Sequence, residues 1–146
     1  MLDTLLVTRG ERQRTFHLGI GVDVQHPLHE AIGLLTPPVV VPGVPAPSSG
    51  SSGWLFHLSS RSVIATSWQP LEEAGKIVGF RVRLLEAAGR PANLALSAFR
   101  AVQSAATVDF QGNDLAELKI EDGKVKLDLA AFEWVEVVAR WQAAKP

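Results

Sequence analysis

From Trp54 onward, apolar and polar residues alternate one by one, and turn-forming residues break the alternation every 8–12 residues or so. A period of two sends successive side chains to opposite faces of an extended chain. A stretch of that kind buries one face only if another sheet covers it. Trp54–Leu58 and Val63–Trp68 read as strands, with Ser59-Ser60-Arg61-Ser62 as the turn between them. In Ile77–Glu86, Phe80, Val82 and Leu84 share one face while Arg81 and Arg83 share the other. Ala88-Gly89-Arg90-Pro91 then turns the chain, and Leu94, Leu96 and Ala98 line the inner face of the next strand. Ala105–Phe110 follows, ending at Gln111-Gly112-Asn113-Asp114. Asp122-Gly123 suits a two-residue type I′ turn, which would set Glu121 opposite Lys124 and point Val125, Leu127 and Leu129 inward. The final strand runs from Glu133 to Trp141. No βαβ alternation and no long amphipathic helix interrupts the pattern. The expected fold is all-β: an antiparallel β-sandwich of about 8–10 short strands with at most one short helix.

The part before Trp54 is less regular. Phe16, Leu18, Ile20 and Val22 alternate with Thr15, His17, Gly19 and Gly21, which predicts a half-buried strand over Thr15–Val24. Pro27 can open a helical turn, and Leu28, Ala31, Ile32 and Leu35 have helical spacing, with Gly33 and Thr36-Pro37-Pro38 ending it. Val39-Val40-Val41 reads as a short edge strand. Residues 42–53 consist only of Pro, Gly, Ser, Val and Ala, a composition that favours a flexible loop. The expected organisation is one domain over 1–146: N-terminal strands in 1–41, a loop in 42–53 and the main sandwich in 54–146.

Composition narrows the partners. The 146 residues carry 14 basic and 15 acidic side chains, a formal net charge of −1, so nothing points to nucleic acid or an acidic membrane surface. No apolar run reaches the ~20 residues that cross a bilayer, and Met1–Arg9 lacks the pattern of a signal peptide. There is no cysteine, so disulfide and thiolate chemistry are excluded and a cytoplasmic location is favoured.

Candidate chemistry is sparse. His26, His29 and Glu30 have a spacing that puts two imidazoles on one helix face. A third ligand is missing and the order is not that of a zinc protease, so no metal site and no cofactor is expected in this chain. His17 and His57 fall in predicted strands and read as packing residues. Glu72, Glu73, Glu86, Asp109 and Asp114 include no pair that spacing singles out for glycosidase chemistry, so no catalytic residue is expected. The Pro-rich run of 42–53 lacks the flanking basic residues of an SH3 ligand. Trp54 and Trp68 are the carbohydrate-contact candidates, because an indole face can stack on a sugar ring; core packing is the alternative. In the last strand, Val135, Val137, Ala139 and Trp141 face one way and Trp134, Glu136, Val138 and Arg140 the other. Apolar groups on both faces make Trp134 and Val138 the candidates for a domain interface.

Three segments resemble a known family. Gly79–Arg90 is similar to the Arg-Leu-Tyr-Glu-x-x-Gly-Arg strand and turn near the C-terminus of glycoside hydrolase family 38, the α-mannosidase family. Ala105–Leu115 resembles that family's Ala-x-x-Val-Asp-Leu-x-Glu-x-x-Leu segment. Gly123–Val138, with Leu127–Glu133 within it, resembles its closing hairpin and Leu-x-Pro-Phe-Glu-Ile strand. Gly19–Asp23 with His26-Pro27-Leu28 bears a weaker resemblance to the preceding sandwich segment. Leu85 stands where the family often has Tyr, and Ala131 where it often has Pro. The resemblance implies a non-catalytic C-terminal accessory domain, packed on an N-terminal catalytic domain of the same polypeptide. That domain would hold the zinc and the nucleophile, and no residue here takes those roles. The competing expectations are an independent carbohydrate-binding module that uses exposed tryptophans, and a structural or adhesive sandwich unrelated to sugars. A homodimer of the isolated chain would hide the same apolar face.

Overall fold

The computed structural model describes Gly10, Arg12, Gln13, Thr15 and residues 18–36, 39–40, 42–43 and 53–142. Phe16, His17, Val41 and residues 44–52 of the predicted loop lie outside the described residues. The chain divides into two compact units, Met1–Pro38 and Val39–Pro146.

In the first unit a helix, α1, spans Pro27–Leu35 with Pro27 in its first turn. The fixed φ of proline suits that position, where its missing N–H would find no partner anyway. Gly33 does not end the helix; Thr36 does, in extended conformation, its N–H reaching Ile32 O at 2.9 Å. The predicted strand over Thr15–Val24 is not formed by the described residues, and Leu18, Ile20 and Val22 are exposed. Alternation makes a strand only where a neighbour accepts its hydrogen bonds. Here Gly19 instead lies against Leu34, so closely that a Cβ would come within 2.4 Å of its side chain. Asp23, in left-handed conformation at φ 55°, then breaks the extended path. Val39 and Val40 are likewise exposed and outside any strand.

The second unit is an antiparallel β-sandwich. Its strands are β1 (Phe56–Leu58), β2 (Val63–Glu73), β3 (Lys76–Glu86), β4 (Ala92–Ala98), β5 (Val102–Val108), β6 (Asp114–Glu117), β7 (Lys119–Glu121), β8 (Lys124–Leu129) and β9 (Trp134–Trp141). One sheet has the order β1-β4-β8-β7 and the other β2-β3-β9-β5-β6. Val82, Leu84, Leu94, Leu96, Val125, Leu129, Val137 and Ala139 fill the space between the sheets as the alternation predicts. No described helix is long and apolar enough to cross a membrane.

Two tight hairpins differ in how they arise. Asp122 and Gly123 both have positive φ, the type I′ geometry, and Glu121 pairs in register with Lys124. The carboxylate of Glu121, however, bonds Lys119 on its own strand, not Lys124 as the register suggests. Ala74 and Gly75 make the same turn between β2 and β3, with alanine at φ 48°. β2 thus runs past Trp68 and through Pro70 to Glu73. Proline fits because β2 is an edge strand. At Gly79 a Cβ would sit 2.0 Å from Ala139 O, so only glycine lets β3 and β9 approach this closely.

One buried carboxylate ties the end of the sandwich together. Glu86, with no exposed surface, accepts N–H bonds from Ala88 (3.0 Å), Gly89 (2.8 Å), Arg90 (3.2 Å) and Phe132 (3.2 Å). Ala88–Arg90 carry the chain from β3 to β4, and Phe132 lies between β8 and β9. Both connections cross from one sheet to the other. Gly89, at φ 71°, lies under the Phe132 ring, where a Cβ would approach to 2.6 Å. Burial pushes the Glu86 carboxyl up; the N–H groups of Phe132, Ala88, Gly89 and Arg90 pull it down and prevail, so it ionises below its usual range.

Two outcomes follow from this packing. Val82→Asp, an unpaired charge at a fully buried position, should cost several kcal/mol, whereas Arg83→Ala on the opposite face should cost on the order of 1 kcal/mol. Equal losses in urea titration would mean the register is wrong. Because the folded state holds Glu86 ionised more readily than the unfolded chain does, its stabilisation is full above the ordinary carboxylate range and is lost as pH falls through the depressed value. Wild type should therefore melt higher than Glu86→Gln at neutral pH, and the gap should close in acid. A gap independent of pH would exclude this role for the charge.

Candidate functional site

The described aromatic residues of the sandwich divide between its two ends and one side of the four-stranded sheet. At one end, Phe56 of β1 stacks on Trp68 of β2 with ring centroids 3.9 Å apart. Phe80 of β3 lies 4.8 Å from Phe56 and 5.0 Å from Trp141 of β9, and Phe99 meets Trp141 edge-on at 5.4 Å. These rings wall a pocket of about 680 Å³, with Leu55 and Ile77 on its rim. Trp68 is therefore a half-buried wall residue, its indole face taken by Phe56.

Trp54 is separate from it. It is 58% exposed and lines a depression with His57, Ser97, Asp122 and Lys124, which shares no residue with the aromatic pocket. The structure thus does not bring the two carbohydrate candidates together. His57 is an exposed residue of β1 opposite Ser97 of β4, beside Trp54.

At the other end of β9, Trp134 is 44% exposed. The Arg83 guanidinium lies over its ring at 4.7 Å, and the exposed Phe110 packs against it at 5.2 Å. Leu115, also exposed, lines the same depression of about 370 Å³. Val138 shares the face of Trp134, but Glu136 stands between them on the strand. Its carboxylate pairs with Arg81 at 3.3 Å and Arg83 at 3.1 Å. Val138 belongs instead to a depression with Ser104, Ala106 and Arg140. The two interface candidates therefore do not form one apolar patch; Trp134 forms one with Phe110 and Leu115. Alternation could not pair residues from different strands, and the strand expected over Ala105–Phe110 ends at Val108, leaving Phe110 in the turn that follows.

The candidate carboxylates do structural work or stand apart. Asp109 accepts N–H bonds from Gln111 (2.8 Å) and Asn113 (2.9 Å) and a side-chain bond from Asn113 at 2.9 Å. Asn113 chiefly, and the turn amides with it, hold the Asp109 carboxyl below its usual range against the upward push of burial. Glu133 accepts the Ala130 N–H at 2.6 Å, and Glu73 pairs with Arg140 at 2.6 Å. Glu72 and Asp114 are exposed on strands at the sheet edges. His26 precedes α1 without capping it, and His29 and Glu30 lie within it. Among the described residues no three His, Asp or Glu side chains converge on a point where a metal ion could be held.

No protein-family model and no curated protein sequence matches this chain.

Proposed function

We propose that this chain is a non-catalytic accessory β-sandwich of an α-mannosidase-like glycosyl hydrolase, packed on and supporting a catalytic domain of the same polypeptide. One observation carries the reading. The segments that resemble the family contribute Glu86, Gly89 and Arg90 from one stretch and Phe132 from another, 46 positions from Glu86, and all four meet in a single hydrogen-bonded knot. The third segment supplies Asp109, which closes its own turn. The shared spacings thus have a common physical reason: each places a carboxylate where a turn presents unpaired N–H groups. The same bonds commit these carboxylates to the fold, in keeping with a supporting role.

The docking surface of this reading is the patch of Trp134, Phe110 and Leu115. An exposed aromatic pair beside a leucine is the kind of surface that an adjoining domain covers. Zinc and the nucleophile belong to the catalytic domain, and a cytoplasmic location is part of the proposal, supported by the absence of cysteine. A second reading, an independent carbohydrate-binding module, is favoured by Trp54, an exposed indole ringed by His57, Ser97, Asp122 and Lys124, all able to hydrogen-bond a sugar hydroxyl.

Trp134→Asp should leave the melting temperature of the isolated chain nearly unchanged, because the ring is already half in water. In the full-length enzyme it should lower both melting temperature and turnover. Wild-type values for both in the full-length protein would exclude docking through this patch. The chain alone should hydrolyse no aryl α-mannoside, with or without added zinc. Turnover above a buffer blank that is lost on changing a carboxylate of this chain would overturn the accessory role. A mannose titration that quenches tryptophan fluorescence in wild type but not in Trp54→Ala would favour the binding module.

A further inference from the structure

The pocket at the aromatic end takes no part in the docking proposed above, since it lies at the opposite end of β9 from Trp134. Its volume, about 680 Å³, falls in the range of small-molecule sites, roughly 300–1,000 Å³. Its walls are preformed: Phe56, Trp68, Phe80, Phe99 and Trp141 pack ring to ring at 3.9–6.5 Å and are continuous with the hydrophobic core. Its rim leaves Leu55, Ile77 and Phe99 substantially exposed, apolar surface that an occupant would cover.

The polar groups at this pocket are few and of one sign. Both charged side chains that line it, Lys76 and Arg100, are cations, and no carboxylate lines it; Gln69 adds a neutral hydrogen-bonding group. Neither cation forms an ion pair with another described residue. Glu73, the register partner of Lys76 across its hairpin, is engaged by Arg140. Arg100 rests over the Phe99 ring at 5.3 Å, which holds its guanidinium at the rim.

We infer that this pocket binds a small amphipathic organic anion, a carboxylate with an aliphatic or aromatic body. The apolar body lies among the five rings, and the carboxylate meets Lys76 and Arg100 at the mouth. Burying the body supplies most of the affinity. The two cations set the preference for a negative head group over a neutral or positive one.

The test uses three ligands with one tail and different heads, octanoate, octanol and octylammonium, each below its micelle concentration. Binding to the whole chain is followed by amide chemical shifts at Ile77, Gly79 and Arg100. Octanoate should bind about tenfold more tightly than octylammonium, with octanol between them. The double variant Lys76→Glu, Arg100→Glu alters two exposed side chains and should keep its melting temperature while inverting that order. Equal affinities for the three heads, an order that survives the charge reversal, or shifts confined to other amides would overturn the proposal. If no amphiphile shifts these amides but a catalytic domain added in trans protects them, the pocket is a protein-docking surface and the small-ligand assignment fails.

Discussion

A sandwich whose chain crosses between sheets at both corners of one end must satisfy several backbone N–H groups where no strand can reach them. Glu86 is how this molecule does so. Its carboxylate accepts four N–H groups, Ala88 on Oε1 and Gly89, Arg90 and Phe132 on Oε2. A neutral side chain of that size could not accept as many bonds. The charge is tolerated in the interior because the donors replace the water it loses. The position of β4 relative to β3, and of β9 relative to β8, follows from that arrangement, and with it the alignment of the core rows. Phe132, held at φ 59° over Gly89, closes the same corner from outside.

One candidate partner surface adjoins this locked end, where Trp134 pairs with Leu85, and the ring-walled pocket lies at the opposite end. The outer face of the five-stranded sheet is held by its own charges: Glu136 lies between Arg81 and Arg83, and Arg140 reaches across to Glu73. Such a face is poorly suited to dry contact, because burial would strand any charge whose partner shifted. Accessible apolar groups gather where this lattice stops, around Trp134 with Phe110 and Leu115, in the ring-walled pocket beyond Phe80, and singly at Trp54. The proposed supporting role and the proposed anion site use these separate places and do not compete.

The inward rows were legible from the alternation alone. Phe80, Val82 and Leu84, Leu94 and Leu96, and Val125, Leu127 and Leu129 all point into the core as read. The Asp122-Gly123 hairpin was legible because both residues tolerate positive φ. The Ala74-Gly75 hairpin was not, since alanine gives no such signal, and Pro70 concealed the length of β2. β6 escaped notice because all four of its residues are exposed. The partition into sheets was also invisible: β1 and β2 are neighbours in the chain, yet β1 pairs with β4 and β2 with β3. The alternation of Thr15–Val24 misled for the opposite reason, being a strand pattern with no described neighbour to pair with. For the site, the sequence offered the tryptophans but not their company. Ring partners such as Phe56 for Trp68, and Phe110 for Trp134, come from distant parts of the chain.

β2 has a further consequence. Among the described residues one of its sides is unpaired, and from Val63 to Leu71 it carries no charged side chain, the composition of a strand that could recruit an identical strand from another molecule. Two interruptions break that edge. Thr66 is an extra residue in the ladder with β3, which bends the strand, and Pro70 has no N–H to offer. The bulge and the proline divide the backbone donors of this edge into shorter runs. An identical strand seeking to pair along this border would have to bridge both the bulge and the missing donor.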